Sequence, residues 1–314
     1  MSLRTPIVYY AVVGITLLLT ILFGLFYQQQ EWLVWCVVTT LVFLIGIPHG
    51  SADLLIFSQL AKEYYTKVSK LKLLGMYLGL SLSYAALWVY FPVTAFSFFI
   101  VCSIYHFGQS NWYYIKTESN FIKMFSYLSW GSFVLLTPIL YHFEEASTII
   151  LGITHIENIS IDSIVIEALP RELFALNIWC IMFLFFTNNI TGKDVFREIF
   201  NLLVLSVLFY FTPLMIGFVV YFALWHSMSS LLDQVEFFKS SVKKFNIWMY
   251  YKKAMPILII SLIGIGLLIY VQPIYFTATP IIGLLFITLS LVTLPHILLI
   301  ERLYHNMQNA LAIT

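Results

Sequence analysis

Apolar residues gather along this chain in long unbroken runs rather than in the spaced stripes of a helix with one wet face. Residues 7–26 and 32–57 are the first two runs, and neither contains Lys or Arg. A helix needs roughly 20 mostly apolar residues to cross the hydrocarbon core of a bilayer, so both qualify. The pattern recurs at 73–91, 93–108, 121–141, 173–187, 198–212, 214–232, 256–271 and 280–300, which makes ten predicted spans. The runs at 173–187 and 198–212 are short, and tight turns near Pro92 and Pro213 separate neighbours, so eight to ten spans is the expected range. The first run follows Arg4 as a signal peptide would, but it ends in Phe26-Tyr27-Gln28-Gln29-Gln30 with no small-residue cleavage site. It reads as a retained helix. No internal repeat or low-complexity tail is visible. The fold class is therefore all-α: a polytopic transmembrane helix bundle forming a single integral membrane domain over residues 1–314.

Composition strengthens that reading. The chain is 61% hydrophobic and 10% charged, against about 45–50% and about 25% in soluble domains. A net charge of +1 gives no reason to expect a nucleic-acid partner. Cys36, Cys102 and Cys180 form no CxxC or CxxCH pattern, which removes zinc-ribbon, thioredoxin-like and c-type haem sites; buried free thiols are expected instead.

The placement of charge orients the chain. Lys62, Lys67, Lys70 and Lys72 crowd one loop, and Lys239, Lys243, Lys244, Lys252 and Lys253 another. Segment 142–172 carries Glu144, Glu145, Glu157, Asp162, Glu167 and Glu172 against Arg171 alone. Cytoplasmic loops are enriched in Lys and Arg. Ten spans with both termini in the cytoplasm put every Lys and Arg except Arg171 on that side, which points to the cell membrane as the location.

Four histidines fall within or at the ends of spans: His49 in Ile47-Pro48-His49-Gly50-Ser51-Ala52-Asp53, His106 in Tyr105-His106-Phe107-Gly108, His226 in Trp225-His226-Ser227, and His296 in Pro295-His296. His142, His155 and His305 fall in loops or near the C-terminus. Ionisable groups inside the bilayer are costly and mark function. Spans two, four, eight and ten run from outside to inside, and each histidine sits in the second half of its span. All four are then expected at one depth in the cytoplasmic half. A lone histidine in a membrane helix needs no more than a hydrogen bond to a neighbour. Four at one level can converge on a metal, as bundle interiors commonly arrange. A proton relay built from the histidines and Asp53 is the competing reading.

Asp53 lies four residues after His49, on the same helix face, and could orient a ligand, since metal-bound imidazoles usually give their other N–H to a carboxylate or carbonyl. Gln109, three residues after His106, and Ser230, four after His226, are further candidates to stand behind the ligands. Pro48 and Pro295 each precede a histidine and can re-aim it by kinking the helix. Imidazole suits Zn, Cu, Fe and Ni. Four imidazoles on six-coordinate iron leave two positions open, enough for dioxygen, so Fe(2+) is the expected cofactor. The HxxxH and HxxHH clusters of di-iron desaturases are missing.

The ordered set Pro48-His49-Gly50-Ser51-Ala52-Asp53, Tyr105-His106-Phe107-Gly108, Trp225-His226-Ser227 and Pro295-His296 resembles the motifs of the bacteriorhodopsin-related-protein-like (Brp/Blh) membrane β-carotene 15,15′-dioxygenases, over about residues 40 to 300. The resemblance implies cleavage of the central double bond of β-carotene with O₂ to two all-trans-retinal, a product that commonly supplies a microbial rhodopsin. It also implies iron held by His49, His106, His226 and His296. Two departures stand out. Members often carry an acidic residue soon after the HFG motif, where this chain has Gln109, Ser110 and Asn111, and many carry a further histidine where it has Ser229 and Ser230.

A bilayer-dissolved polyene suits a membrane-embedded enzyme. Trp88, Trp112, Trp130, Trp225 and Phe222 could line a tunnel for it, although ordinary interfacial packing of such aromatics is the simpler reading. The alternatives are a proton-coupled transporter using Asp53 and the histidines, and a non-catalytic retinal- or carotenoid-binding accessory protein. A rhodopsin is excluded, because every Lys lies in a loop or at a span end.

Overall fold

The computed structural model describes residues 6–26, 31–64, 70–242, 244–275 and 280–313. Arg4, Lys67 and Lys243, three of the charges used to orient the chain, lie outside the described residues. The described chain is helical throughout, with no strand.

Fourteen α-helices follow one another among the described residues: α1 Pro6–Phe26, α2 Glu31–Leu41, α3 Ile47–Ser51, α4 Asp53–Tyr64, α5 Lys70–Tyr90, α6 Pro92–Trp112, α7 Asn120–Tyr141, α8 Phe143–Thr154, α9 Ser163–Phe186, α10 Gly192–Phe211, α11 Leu214–Val220, α12 Met228–Ser241, α13 Ile247–Tyr275 and α14 Ile281–Ile313. Wider π-helical turns join α2 to α3 (Val42–Gly46) and α11 to α12 (Tyr221–Ser227).

Every predicted span falls on a helix. Seven segments are long and apolar enough to cross a membrane: Pro6–Leu25, Trp32–Leu60, Asn120–Tyr141, Ser163–Phe186, Leu214–Lys239, Ile247–Ile274 and Ile281–Gln308. The apolar part of α5, Leu74–Tyr90, is shorter. α6 and α10 carry the other two predicted spans as helices of 21 and 20 residues. The acidic segment 142–172 is mostly helical, since α8 and the first half of α9 occupy it. Along α13 the side chains of Ile259, Ile260, Ile263, Leu267, Ile269 and Tyr270 are exposed. An apolar surface of that extent is unfavourable in water and fits lipid.

Local chemistry sets the helix ends. Pro92 starts α6, where its missing N–H costs nothing. Ser119 caps α7 by accepting from the Ile122 N–H at 3.4 Å. Asp162 caps α9, and Thr191 with Asp194 forms a capping box on α10. The three cysteines are free, as expected, but only Cys180 is buried; Cys36 is exposed on α2 and Cys102 half-buried.

The chain divides into two compact units. The first comprises Met1–Gly46, Ser103–Ala146 and Ser160–Ser230; the second comprises Ile47–Cys102, Ser147–Ile159 and Leu231–Thr314. In the first unit α7 packs along α9 and α10, α1 along α10, and α11 against α2 and α7. Asn177, fully buried on α9, donates to the Ser129 carbonyl of α7 at 3.0 Å. In the second unit α14 packs on α5, α4 and α3, and α13 packs on α3 and α14.

Two glycines decide how closely α6 approaches α7. A Cβ on Gly108 would fall on the Tyr127 carbonyl, and one on Gly131 would fall on the Ile104 carbonyl. Each glycine receives the backbone of the other helix, the close approach that small residues permit in membrane proteins. The glycine of the HFG motif thus serves helix packing beside His106.

Candidate functional site

Each unit brings two of the four singled-out histidines together. In the second unit, His49 of α3 meets His296 of α14, with ring centres 5.1 Å apart and planes at 89°. In the first unit, His106 of α6 meets His226 of the π-helical turn, at 4.9 Å and 74°. All four side chains are 1–5% exposed. The partners are about 120 and 247 residues apart in sequence, and no local periodicity pairs them.

His49 and His226 owe their positions to backbone irregularity. The π-helical turn Val42–Gly46 ends just before Ile47-Pro48-His49. His226 lies inside the other such turn. A π-helical turn is uncommon and often marks a functional position, because it rotates following side chains away from α-helical register. Gly46 leaves room for Phe222, whose ring would stand 2.9 Å from a Cβ there. Phe222 in turn stacks on His226 at 6.0 Å, and Phe107 meets the same ring edge-on at 4.8 Å.

One ring of each pair has a hydrogen-bonded Nδ1. In the second unit, His296 Nδ1 lies 2.7 Å from Asp53 Oδ1. Tyr77 of α5 donates its hydroxyl to Asp53 Oδ2 at 3.0 Å. A carboxylate only accepts, so Nδ1 of the neutral ring carries the proton and Nε2 presents a lone pair. In the first unit, Ser110 Oγ lies 2.9 Å from His226 Nδ1 and donates its own proton to the Phe107 carbonyl at 3.1 Å. With that proton on the Phe107 carbonyl its oxygen is an acceptor for Nδ1–H, the tautomer that leaves a lone pair on Nε2 of His226. A ligand N–H tied to oxygen behind it is the usual arrangement at metal-bound imidazoles.

Asp53, expected to orient His49 or another ligand, stands against His296. Nothing in the sequence singles out Ser110 or Tyr77. Ser110 is one turn past His106 on α6 yet serves the other histidine of its pair, a cross-helix contact that spacing alone does not reveal. Gln109 is buried and donates to the Tyr105 hydroxyl at 3.5 Å. Ser230 is fully buried on α12, one turn after His226.

The end of α6 that carries His106 and Ser110 is held by a buried carboxylate. Glu198 of α10 is fully buried and accepts from Asn111 (3.2 Å), Tyr114 (3.1 Å), Arg197 (3.2 Å) and Asn201 (3.3 Å). Tyr9 of α1 donates to Asn201 at 2.9 Å, which extends the network to a third helix. Burial, and next the Glu198 charge, push the Tyr114 hydroxyl pKa well up. An intramembrane charge with this many donors is satisfied in place.

The donor set suits a metal ion that takes imidazole. Two imidazoles bound through nitrogen at about 2.1 Å as adjacent ligands put their ring centres roughly 4.5–5 Å apart, close to both observed separations. Each unit by itself supplies two rings; among the described residues no three His, Cys, Asp or Glu side chains converge in ligand spacing. His142 binds the Phe209 carbonyl through Nε2 at 3.0 Å, and His155 is exposed with positive φ (57°). His305 lies within α14 rather than in a tail.

The aromatics singled out for a tunnel are buried and packed: Trp88 donates to Ser290 and Trp225 to Thr16, each at 2.9 Å, and Trp112 meets Trp130 at 6.1 Å. A groove of about 260 Å³ lies instead on α7 and α9, lined by Phe121, Phe125, Trp179 and Phe183 among others. None of the four histidines lines it.

Comparison with known proteins agrees with the motifs. The profile of the family described as Beta-carotene 15,15'-dioxygenase matches residues 40–304. The protein named Beta-carotene 15,15'-dioxygenase from uncultured marine bacterium 66A03 is 25% identical over 276 residues, covering 86% of this chain and 94% of that relative. No solved structure matches the chain. A profile match that runs through all four histidine motifs and most of the helices is more than a local motif can give, and this chain belongs to the β-carotene 15,15′-dioxygenase family.

Proposed function

We propose that this chain is an iron-dependent membrane enzyme that cleaves the central 15,15′ double bond of β-carotene with O₂, giving two molecules of all-trans-retinal. Both oxygen atoms enter product, one in each aldehyde, so the reaction needs no other reductant. One observation carries the reading: four histidines far apart in sequence form two buried pairs, and each pair holds a ring whose Nδ1–H is tied back and whose Nε2 faces away from that bond. The relative's name supplies the substrate class.

His49, His106, His226 and His296 would hold the iron, which when bound supplies the activation of dioxygen toward a carbon–carbon double bond. The chain's own groups prepare the site. Asp53 and Ser110 select the tautomer of His296 and His226 before any ligand arrives. Phe107 and Phe222 wall the His226 ring and keep water from it. We further propose that the chain sits in the cell membrane with both termini cytoplasmic and that its retinal supplies a microbial rhodopsin.

The test is expression in a bacterial host that accumulates β-carotene, followed by extraction and assay for retinal. Loss of orange colour with appearance of retinal, both absent with His226→Ala, supports the reading. Intact β-carotene beside well-expressed membrane protein refutes it and turns attention to the Tyr77–Asp53–His296 chain as a proton path in a transporter.

A further inference from the structure

The backbone of His49 is itself held by buried side chains. The five-residue helix Ile47–Ser51 is separated from α4 by Ala52 alone. Side-chain donors reach the carbonyls of this turn. Ser51 Oγ donates to the Ile47 carbonyl at 2.9 Å. Gln234 Nε2 of α12 donates to the His49 carbonyl at 3.2 Å. The Tyr250 hydroxyl of α13 stands 3.1 Å from the Pro48 carbonyl, 3.3 Å from the His49 carbonyl and 2.7 Å from Gln234 Oε1. Gln234 and Tyr250 are both fully buried, and the groups lie within one compact unit.

This arrangement is costly to maintain inside an apolar unit. Two helices each contribute a buried polar side chain: Gln234 bonds to the turn, and Tyr250 bonds to Gln234. The target is the peptide group of a histidine whose ring faces His296 at 5.1 Å. A carbonyl held by Gln234, whose own oxygen accepts from the Tyr250 hydroxyl at 2.7 Å, leaves the His49 backbone little rotation, and the Cα–Cβ vector of the ring turns with that backbone.

We propose that Gln234 and Tyr250 are positioning residues that set the aim of the His49 imidazole by clamping its own carbonyl. They do for His49 through the main chain what Asp53 does for His296 through the ring. The inference rests on the iron reading above. It concerns geometry at the metal and not the fold as such. Tyr250→Phe removes one hydroxyl and keeps the ring; Gln234→Met keeps the shape and removes both polar atoms.

The test uses full-length protein purified in detergent, stripped of metal and titrated with Fe(II). Iron per chain is read by mass spectrometry, and the electron paramagnetic resonance spectrum is recorded after adding nitric oxide as a probe of ligand geometry. Tyr250→Phe and Gln234→Met are expected to weaken iron binding about 10–100-fold, the range for losing groups behind a ligand, and to shift the nitrosyl spectrum of the iron that remains. Ser81→Ala, which deletes a side-chain donor to the Leu291 carbonyl elsewhere in the same unit, should move neither. Parent affinity and parent spectrum in both variants overturn the clamp while leaving the iron reading standing. A lowered melting temperature with an unchanged spectrum also overturns it, since that is a structural role alone. A parent protein that binds no iron overturns both. If Gln234→Met does not fold, Tyr250→Phe decides.

Discussion

Replacing Gly108 by Ala adds one methyl group at the point where α6 and α7 touch. The new Cβ would fall on the Tyr127 carbonyl and stand 2.6 Å from the Tyr127 Cα, where ordinary contact begins near 3.4 Å. The shortfall of about 0.8 Å at the Cα, and more at the carbonyl, must be met by parting the helices, because the obstructing atoms are backbone and have no rotamer to give. Overpacking of this kind costs typically about 1–3 kcal/mol, and a backbone obstruction puts the change near the upper end. Gly131→Ala meets the same limit from the other side, with the Ile104 Cα at 2.9 Å. Function should suffer more than stability. His106 is two residues from the contact and Ser110 two beyond it, and a displacement of about 1 Å in catalytic geometry can cost on the order of 100-fold in rate. The assay is retinal formed per unit of enzyme in a β-carotene-accumulating host, beside the thermal unfolding of the purified protein in detergent. Gly108→Ala is expected to form at most a few per cent of parent retinal with a melting temperature lowered by several degrees. Parent-level retinal with an unmoved transition would refute the claim that these helices meet backbone to backbone.

Asp53→Asn exchanges a two-oxygen acceptor for an amide that cannot satisfy both His296 and Tyr77 as acceptor, so iron affinity should fall about 10–100-fold; titration of metal-free protein with Fe(II) measures it. Ser110→Ala should lower affinity toward the small end of that range, since a hydroxyl is the weaker partner. Glu198→Ala removes the acceptor of the Asn111 amide and the Tyr114 hydroxyl while Arg197 keeps Asp194, and should destabilise by about 1–3 kcal/mol, read as a drop in melting temperature with loss of iron following unfolding. Alanine at any one of His49, His106, His226 or His296 should bring iron per chain near zero if one metal takes all four. Half-occupancy would instead mean two separate sites. His142→Ala loses one part-buried hydrogen bond, worth about 1 kcal/mol, and His155→Ala touches an exposed residue, so both should keep parent-like retinal output.

Much of this protein is legible in one dimension because a bilayer reads one dimension. Hydrocarbon asks only that a helix be long and apolar enough, and each predicted span accordingly lies on a helix. Membrane cost also made the four histidines and Asp53 conspicuous, since a polar side chain in such a run needs a reason. Glu198 escaped notice for the complementary reason: it sits near a span end, where a carboxylate is unremarkable in sequence, and its burial depends on donors from another helix and a neighbouring loop.

Pairing was decided only by the tertiary structure. That His49 meets His296, that His106 meets His226, and that Asp53 reaches His296 across 243 residues are consequences of helix packing, which carries no period along the chain. The π-helical turns beside His49 and His226 were likewise invisible, because an extra residue per turn leaves hydrophobicity unchanged while rotating every later side chain. Ser110, Tyr77, Gln234 and Tyr250 are ordinary residues in the sequence. They acquire roles from what stands opposite them in the folded chain. Composition and motif order settle that this chain is a helical membrane protein with histidines worth watching. Which nitrogen His296 and His226 present follows from hydrogen bonds that exist only after the helices have packed.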